Sequence, residues 1–469
     1  MSLISSIAAQ VSHTLHLEDA PVTPVFTTSR RTEALTTARL NDDATPHGFL
    51  MGNSVTTGKP WSFSLHEKYR NDEIQSLNMV IYGAVGYGKT SWTKCYIDWL
   101  VRADGFAGVF DRKIQTSQGV RGGEYFSLVD ELDGTRIVFD QNPDVGCHLN
   151  ILDPAFQAAE STSTLGPDKL LLLAAQVACG ASLDNTSTAF PQFALNAAHQ
   201  TALRRAKADG RVATIEDVIG ALYTPDESTI PGPVNPVSGR KLLAEAGRVS
   251  TDDLFRWGLP VAVGLERYTT GDLAGLIDGP TRDAAGQPLD LRNHLIVFDT
   301  SALAEGSDEF GLMTLLAAAL LQTEWVYQPG DKLLVREEAY SSDMLPQIGQ
   351  LWRVFAKRGR GHGLATIDIF HHPSEALLGE QASTVAKEAA VTMIARQDHP
   401  ADVEACVNLL GVPPRAAGLL STQPVGTWMM CIPGRPVEQV HHLRTRRQVA
   451  LTNSDMGVMG DADGIEVAS

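Results

Sequence analysis

One stretch limits what this chain can fold into more than any other: Gly83-Ala84-Val85-Gly86-Tyr87-Gly88-Lys89-Thr90. It fits the phosphate-binding pattern G-x-x-x-x-G-K-[ST]. Leu77–Tyr82 before it is an apolar run with the length of a buried strand. After it, Trp92, Tyr96, Trp99 and Leu100 recur at helical spacing. Strand, glycine loop and helix are what phosphate binding requires. Glycines let backbone N–H groups turn inward, and the helix N-terminus adds partial positive charge. The pattern predicts a nucleotide site lined by Gly83, Ala84, Val85, Gly86, Tyr87, Gly88, Lys89, Thr90 and Ser91. Lys89 is placed to reach the β- and γ-phosphates and the Thr90 hydroxyl to ligate Mg²⁺, so ATP and Mg²⁺ are the expected cofactors.

The 469 residues have room for roughly two to four domains. The formal net charge of −17 gives no global basic field for a nucleic acid, although a ring can concentrate a few Lys and Arg in one channel. The five cysteines are far apart and form no C-x-x-C, which excludes a zinc ribbon or disulfide framework as the organising device. No apolar run reaches 18 residues, and the N-terminus lacks a basic region followed by an apolar block. A soluble, cytoplasmic protein is expected.

Along the chain, residues 1–75 read as an amphipathic helix carrying Leu3, Ile4, Ile7, Ala8, Val11 and Leu15, then a Thr/Pro/Asp/Gly-rich arm, then a short β segment near Trp61–Leu65. Residues 76–151 hold the first part of the nucleotide core, with further strands at Gly105–Phe110 and Arg136–Asp140. Residues 152–289 read as a helical insertion, with Ala-rich stretches at Lys169–Cys179, Phe193–Ala208 and Ile215–Leu222. The sheet pattern returns over 290–454, with strands at His294–Asp299, Lys332–Val335, Leu364–Phe370, Ala390–Ile394 and Gly426–Ile432. Residues 455–469 read as a flexible tail. Strands alternating with helices predict an α/β fold with a mainly parallel sheet covered on both faces. Ligands then sit outside the carboxyl ends of the strands.

Hydrolysis also needs a carboxylate to orient water and charge to neutralise the transferred group. Two strand ends compete: one closes on Asp299, the other on the pair Glu337-Glu338. The pair suits division of labour, with Glu337 on the metal side and Glu338 on the water; its plain reading is the solvated start of a helix, and that of Asp299 is a cap on the next turn. In the basic turn Lys357–Gly363, Arg358 or Arg360 is either an arginine finger for a neighbouring subunit or part of a solvated loop. His371, at the end of Leu364–Phe370, is either a γ-phosphate sensor or an exposed strand-end histidine.

With these residues in hand, the chain resembles the conjugative-transfer, or type IV secretion, ATPases of the HerA/FtsK superfamily, closest to their VirB/TraC-type motors. The similarity runs through most of 47–455. It rests on Gly83–Thr90, Val109–Lys113, Gly122–Phe126, Leu149–Pro154, Gly271–Gly279 and Leu334–Tyr340 in order. The resemblance implies a RecA-like P-loop core with a helical insertion. It implies homo-hexameric rings, ATP hydrolysis, and transport of DNA or protein with other secretion or conjugation subunits. By position, Glu337 stands where the family has its metal-side Asp, Glu338 at the water-orienting Glu, His371 near a common Gln, and Arg358 or Arg360 near the finger. The family's Asp and Gln are thus replaced at 337 and 371. About 70 residues precede the first core strand, fewer than the N-terminal domain common in secretion motors, and the anchor of coupling proteins is missing. Docking at the inner face of a membrane is therefore expected only through partners.

Overall fold

The described chain opens on two antiparallel strands, β1 (Phe49–Ser54) and β2 (Pro60–Phe63), followed by a short helix, α1 (Leu65–Arg70), capped by the Ser64 hydroxyl. A computed structural model describes residues 48–117, 120–154, 166–180, 189–230, 249–304, 307–325, 328–337, 339, 359–374 and 389–452. The expected N-terminal helix, Arg358, Glu338 and the tail from 455 lie outside these residues.

The parallel α/β core follows. β3 (Asn78–Tyr82) runs into the glycine loop and α2 (Lys89–Arg102); β4 (Phe106–Asp111) leads to a hairpin, β5 (Ile114–Ser117) and β6 (Val120–Gly123). After α3 (Phe126–Leu132) and β7 (Thr135–Val138), the helical insertion carries α4 (Pro167–Cys179), α5 (Ala189–Ala208), α6 (Ile215–Tyr223) and α7 (Thr251–Leu265). The core resumes with β8 (Leu295–Asp299), α8 (Asp308–Trp325), β9 (Lys332–Arg336), β10 (Leu364–Phe370) and β11 (Val391–Ile394). Helices α9 (Pro400–Asn408) and α10 (Pro414–Leu420), strands β12 (Thr427–Cys431) and β13 (Glu438–His442), and α11 (Arg446–Thr452) complete it.

Among the described residues, eleven strands form one sheet in the order β2-β1-β13-β12-β11-β3-β10-β9-β4-β8-β7. From β11 to β7 every pairing is parallel, and the other four strands are antiparallel. The parallel half is buried on both faces, which is why its strands are unbroken apolar runs rather than alternations. In β8, Ile296 and Phe298 join the core shared with α4–α8, whereas Leu295 and Val297 join the core under α2 and α3. The helical insertion packs α5, α6 and α7 against one another, and its Thr214–Asp217 and Ser250–Asp253 capping boxes fix two of its helix starts. Among the described residues, no helix is long and apolar enough to cross a membrane.

Candidate nucleotide site

The glycine loop closes the carboxyl end of β3. Gly86 and Gly88 have φ of +86° and +90°, a region costly for any residue with a Cβ, and Gly88 is the N-cap of α2. The first α2 residues, Lys89 and Thr90, are buried. Lys89 Nζ donates to the carbonyls of Gly83 (2.5 Å) and Ala84 (3.1 Å) and lies 3.1 Å from His371 Nδ1. The loop tip is exposed at Val85, while Tyr87 is braced by the Asp398 carboxylate and the Arg396 guanidinium.

Strand order explains the meeting of Lys89 and His371. β10 lies between β3 and β9, with Phe370 in register with Tyr82 and Asp368 with Arg336. The residue after β10 is therefore delivered beside the loop, and the residue after β9 one strand further on. The adjacent histidine turns away: His372 Nδ1 pairs with Asp402 on α9 at 2.9 Å. The two histidines have different partners, and among the described residues no group of three His, Cys, Asp or Glu is placed to hold a metal by itself.

Glu337 is buried at the tip of β9, and its Oε1 accepts the Tyr125 hydroxyl at 2.6 Å. Burial pushes its carboxyl above the usual range; Lys113 and Lys89 pull it down, and Glu124 pushes it further up. Tyr125 belongs to a wall that reasoning from spacing passes over. Asp111, at the tip of β4, accepts the backbone N–H of Lys113 and of Tyr125, both at 3.1 Å. A Cβ at Gly123 would collide with the Asp111 carboxylate, so the glycine permits that contact. Glu124 Oε2 accepts the Thr90 hydroxyl at 3.3 Å and pairs with Lys113 Nζ at 3.3 Å. Lys94, one turn along α2, lies 5.6 Å from the Tyr125 ring centre, and burial lowers its pKa. Burial, chiefly, raises the Asp111 carboxyl to about 8, with Glu337, Glu124 and Asp299 adding to the rise.

Asp299 is built differently. Its Oδ2 accepts from Arg136 at 2.9 Å and its Oδ1 from the Ser301 N–H at 3.0 Å. Arg136 in turn lies 3.6 Å over the Phe126 ring. Asp299 therefore caps the turn after β8, two strands from β9 and four from β3. Arg360 is not brought to Lys89 within the chain. It precedes β10 at the amino end of the sheet, where it donates to the Gln75 carbonyl at 2.8 Å.

The chain superposes on VirB4 of Thermoanaerobacter pseudethanolicus over 86% of its own length and 98% of that chain, with a TM-score of 0.60 at 16% identity. The chain has the VirB4 fold. The VirB4 fold here is a P-loop α/β core with a mainly parallel sheet, flanking helices and a helical insertion. Two structures of the conjugative coupling protein TrwB are also neighbours. One is the unbound protein (TM-score 0.46, 12% identity, covering 86% of this chain and 90% of that one). The other holds ADP and Mg²⁺ (0.47, 11%, 84% and 90%). By sequence, no protein-family model and no curated protein matches the chain.

Proposed function

We propose that this protein is an ATP-hydrolysing motor of a conjugation or type IV secretion apparatus, driving transfer of DNA or protein. One juxtaposition supports this reading: the Lys89–Thr90 loop and the Glu337 strand tip stand at the same end of the sheet, on either side of β10, in a chain with the VirB4 fold. The loop fits a triphosphate. Its glycines hold positive φ, its lysine is buried against the loop carbonyls, and its threonine hydroxyl faces a carboxylate wall. Residues Gly83 to Ser91 would hold ATP, with Thr90 and Glu337 on the Mg²⁺ side. Bound Mg²⁺ would supply neutralising charge to the phosphates.

The chain's own residues do the rest. Lys89 leaves its carbonyl partners for phosphate oxygens. His371, already within hydrogen-bond distance of Lys89, registers whether that lysine is engaged. Glu338, next to Glu337 in the chain, orients the attacking water. Arg360 stands about 20 Å along β10 from His371, a place that suits a finger acting on the neighbouring subunit of a homo-hexamer; Arg358 is the alternative. Residues 76–151 and 290–454 form the motor core, 152–289 its helical insertion, and 1–75 and 455–469 its flanks. Partners are other secretion subunits, through which the protein reaches the cytoplasmic face of the membrane, with DNA as a candidate cargo.

The test is ATP turnover by phosphate release. Lys89→Ala is expected to abolish it, and undiminished turnover overturns the reading. Turnover rising cooperatively with protein concentration supports a finger in trans. Strong stimulation by DNA alone, with no secretion component, favours a HerA-like DNA translocase or packaging ATPase. The hold of Tyr125 on Glu337 favours a second reading, a nucleotide-gated assembly protein that hydrolyses little; rapid multiple turnover eliminates it.

A further inference from the structure

We propose that Glu124 is the carboxylate that sets Thr90 for the metal, and that Glu337 acts one step behind it through Tyr125. The inference rests on the nucleotide-site reading above and deepens it. A threonine hydroxyl that gives a lone pair to a divalent cation keeps its proton, and that proton needs an acceptor. Such outer partners orient the ligand and raise its basicity. Glu124 Oε2 is that acceptor, taking the Thr90 hydroxyl at 3.3 Å. The same oxygen is paired with Lys113 Nζ at 3.3 Å, which keeps the carboxylate in place. Glu124 is 8% exposed, so its charge acts with little screening by water.

Glu337 occupies the strand-tip position from which a metal-side acid is expected, yet its 2.6 Å contact is with the Tyr125 hydroxyl. Tyr125 follows Glu124 directly in the chain. Its hydroxyl is held by Glu337 from the β9 side, and its backbone N–H by Asp111 from the β4 side, at 3.1 Å. Two acids from two neighbouring strand tips thus fix the residue that carries the third. Glu124 is a positioning residue for Thr90; Glu337 and Asp111 position Glu124.

The experiment uses the full chain and mant-ADP, titrated once in EDTA and once across a range of Mg²⁺, with Mn²⁺ paramagnetic resonance as a second readout of the bound cation. Glu124→Ala is expected to weaken cation affinity in the mant-ADP complex about 10- to 100-fold and to leave mant-ADP affinity in EDTA unchanged. Tyr125→Phe, which frees Glu337, is expected to weaken it less. Cation affinity equal to wild type in Glu124→Ala overturns the inference. So does an equal loss with and without the cation, the mark of a merely structural role. Should Glu124→Ala fail to fold, Glu124→Gln decides: weakened cation affinity supports the proposal and unchanged affinity overturns it. A wild-type protein that binds no mant-ADP overturns instead the nucleotide-site reading itself, which is a separate result.

Discussion

The tips of β8 and β9 are both acidic, lie on either side of β4, and are built in opposite ways. At β8, Asp299 has its own arginine and its own backbone N–H, and the arginine is itself seated on a phenylalanine. At β9, Glu337 is buried within electrostatic reach of Glu124 and of the lysines 89 and 113, and burial pushes its carboxyl toward the neutral form. An acid that only closes a turn is neutralised where it stands. An acid left among competing charges costs stability, and such arrangements concentrate at functional sites. The contrast is the physical reason for proposing the chemistry at the β9 tip rather than at the β8 tip.

The sharpest way to break that contrast is at the pair itself. Glu338→Gln is expected to lower ATP turnover about 10²- to 10⁴-fold, the range for losing a group that handles the proton of the attacking nucleophile. Binding of mant-ATP should persist, and the thermal midpoint should stay near that of wild type. Phosphate release and fluorescence titration on the same preparation separate the two. A Glu338→Gln protein with wild-type turnover would move the chemistry away from β9.

Much of the fold was legible because burial on both faces leaves apolar runs that periodicity detects, as at Leu295–Asp299 and Leu364–Phe370. β1 and β13 were not legible. Phe49–Ser54 contains Gly52 and sits in a Thr/Pro/Gly-rich arm, and Glu438–His442 is polar except for Val440. α7 was hidden by Gly258, Pro260 and Gly264, which read as breakers although Pro260 is accommodated inside the helix. In the site, Lys89 and Thr90 were legible because a phosphate loop is local. The contacts of Asp111, Glu124 and Tyr125 were not. The β5–β6 hairpin separates Lys113 from Glu124 in sequence and returns them to contact in space, and only the order β9-β4-β8 sets Asp111 between the two other acids.

Asp111 sharpens the comparison through pH. Its carboxyl, raised to about 8, favours the neutral form in the folded chain, whereas the unfolded chain ionises near 4. Stability from this group is therefore full below about pH 4, is lost as pH rises toward 8, and is level above that. Asp111→Asn removes the titration. The variant should gain on wild type with rising pH, by on the order of a few kcal/mol at pH 8 and above. Denaturant melts of both proteins at pH 5, 7 and 8.5 read the difference. A gap that does not change with pH would mean that Asp111 is ionised throughout, and the crowding at this end of the sheet would lose its middle member.

The smallest effect is expected at Asp299, and it tests the comparison from the structural side. Asp299→Ala removes a turn cap and one partner of an ion pair. Because Arg136 is about one-third exposed, water screens that pair. The hydrogen bond to Ser301 and the pair together should cost about 1–2 kcal/mol, read as a lowered denaturation midpoint. Arg136 keeps its seat on Phe126, so the site wall around Tyr125 should stay in place. Turnover and the Mg²⁺ dependence of nucleotide binding should then match wild type. If turnover collapses while the midpoint holds, Asp299 rather than Glu337 serves the metal. The arginine at its side would then be a tuning charge rather than a structural one, reversing the roles of the two strand tips.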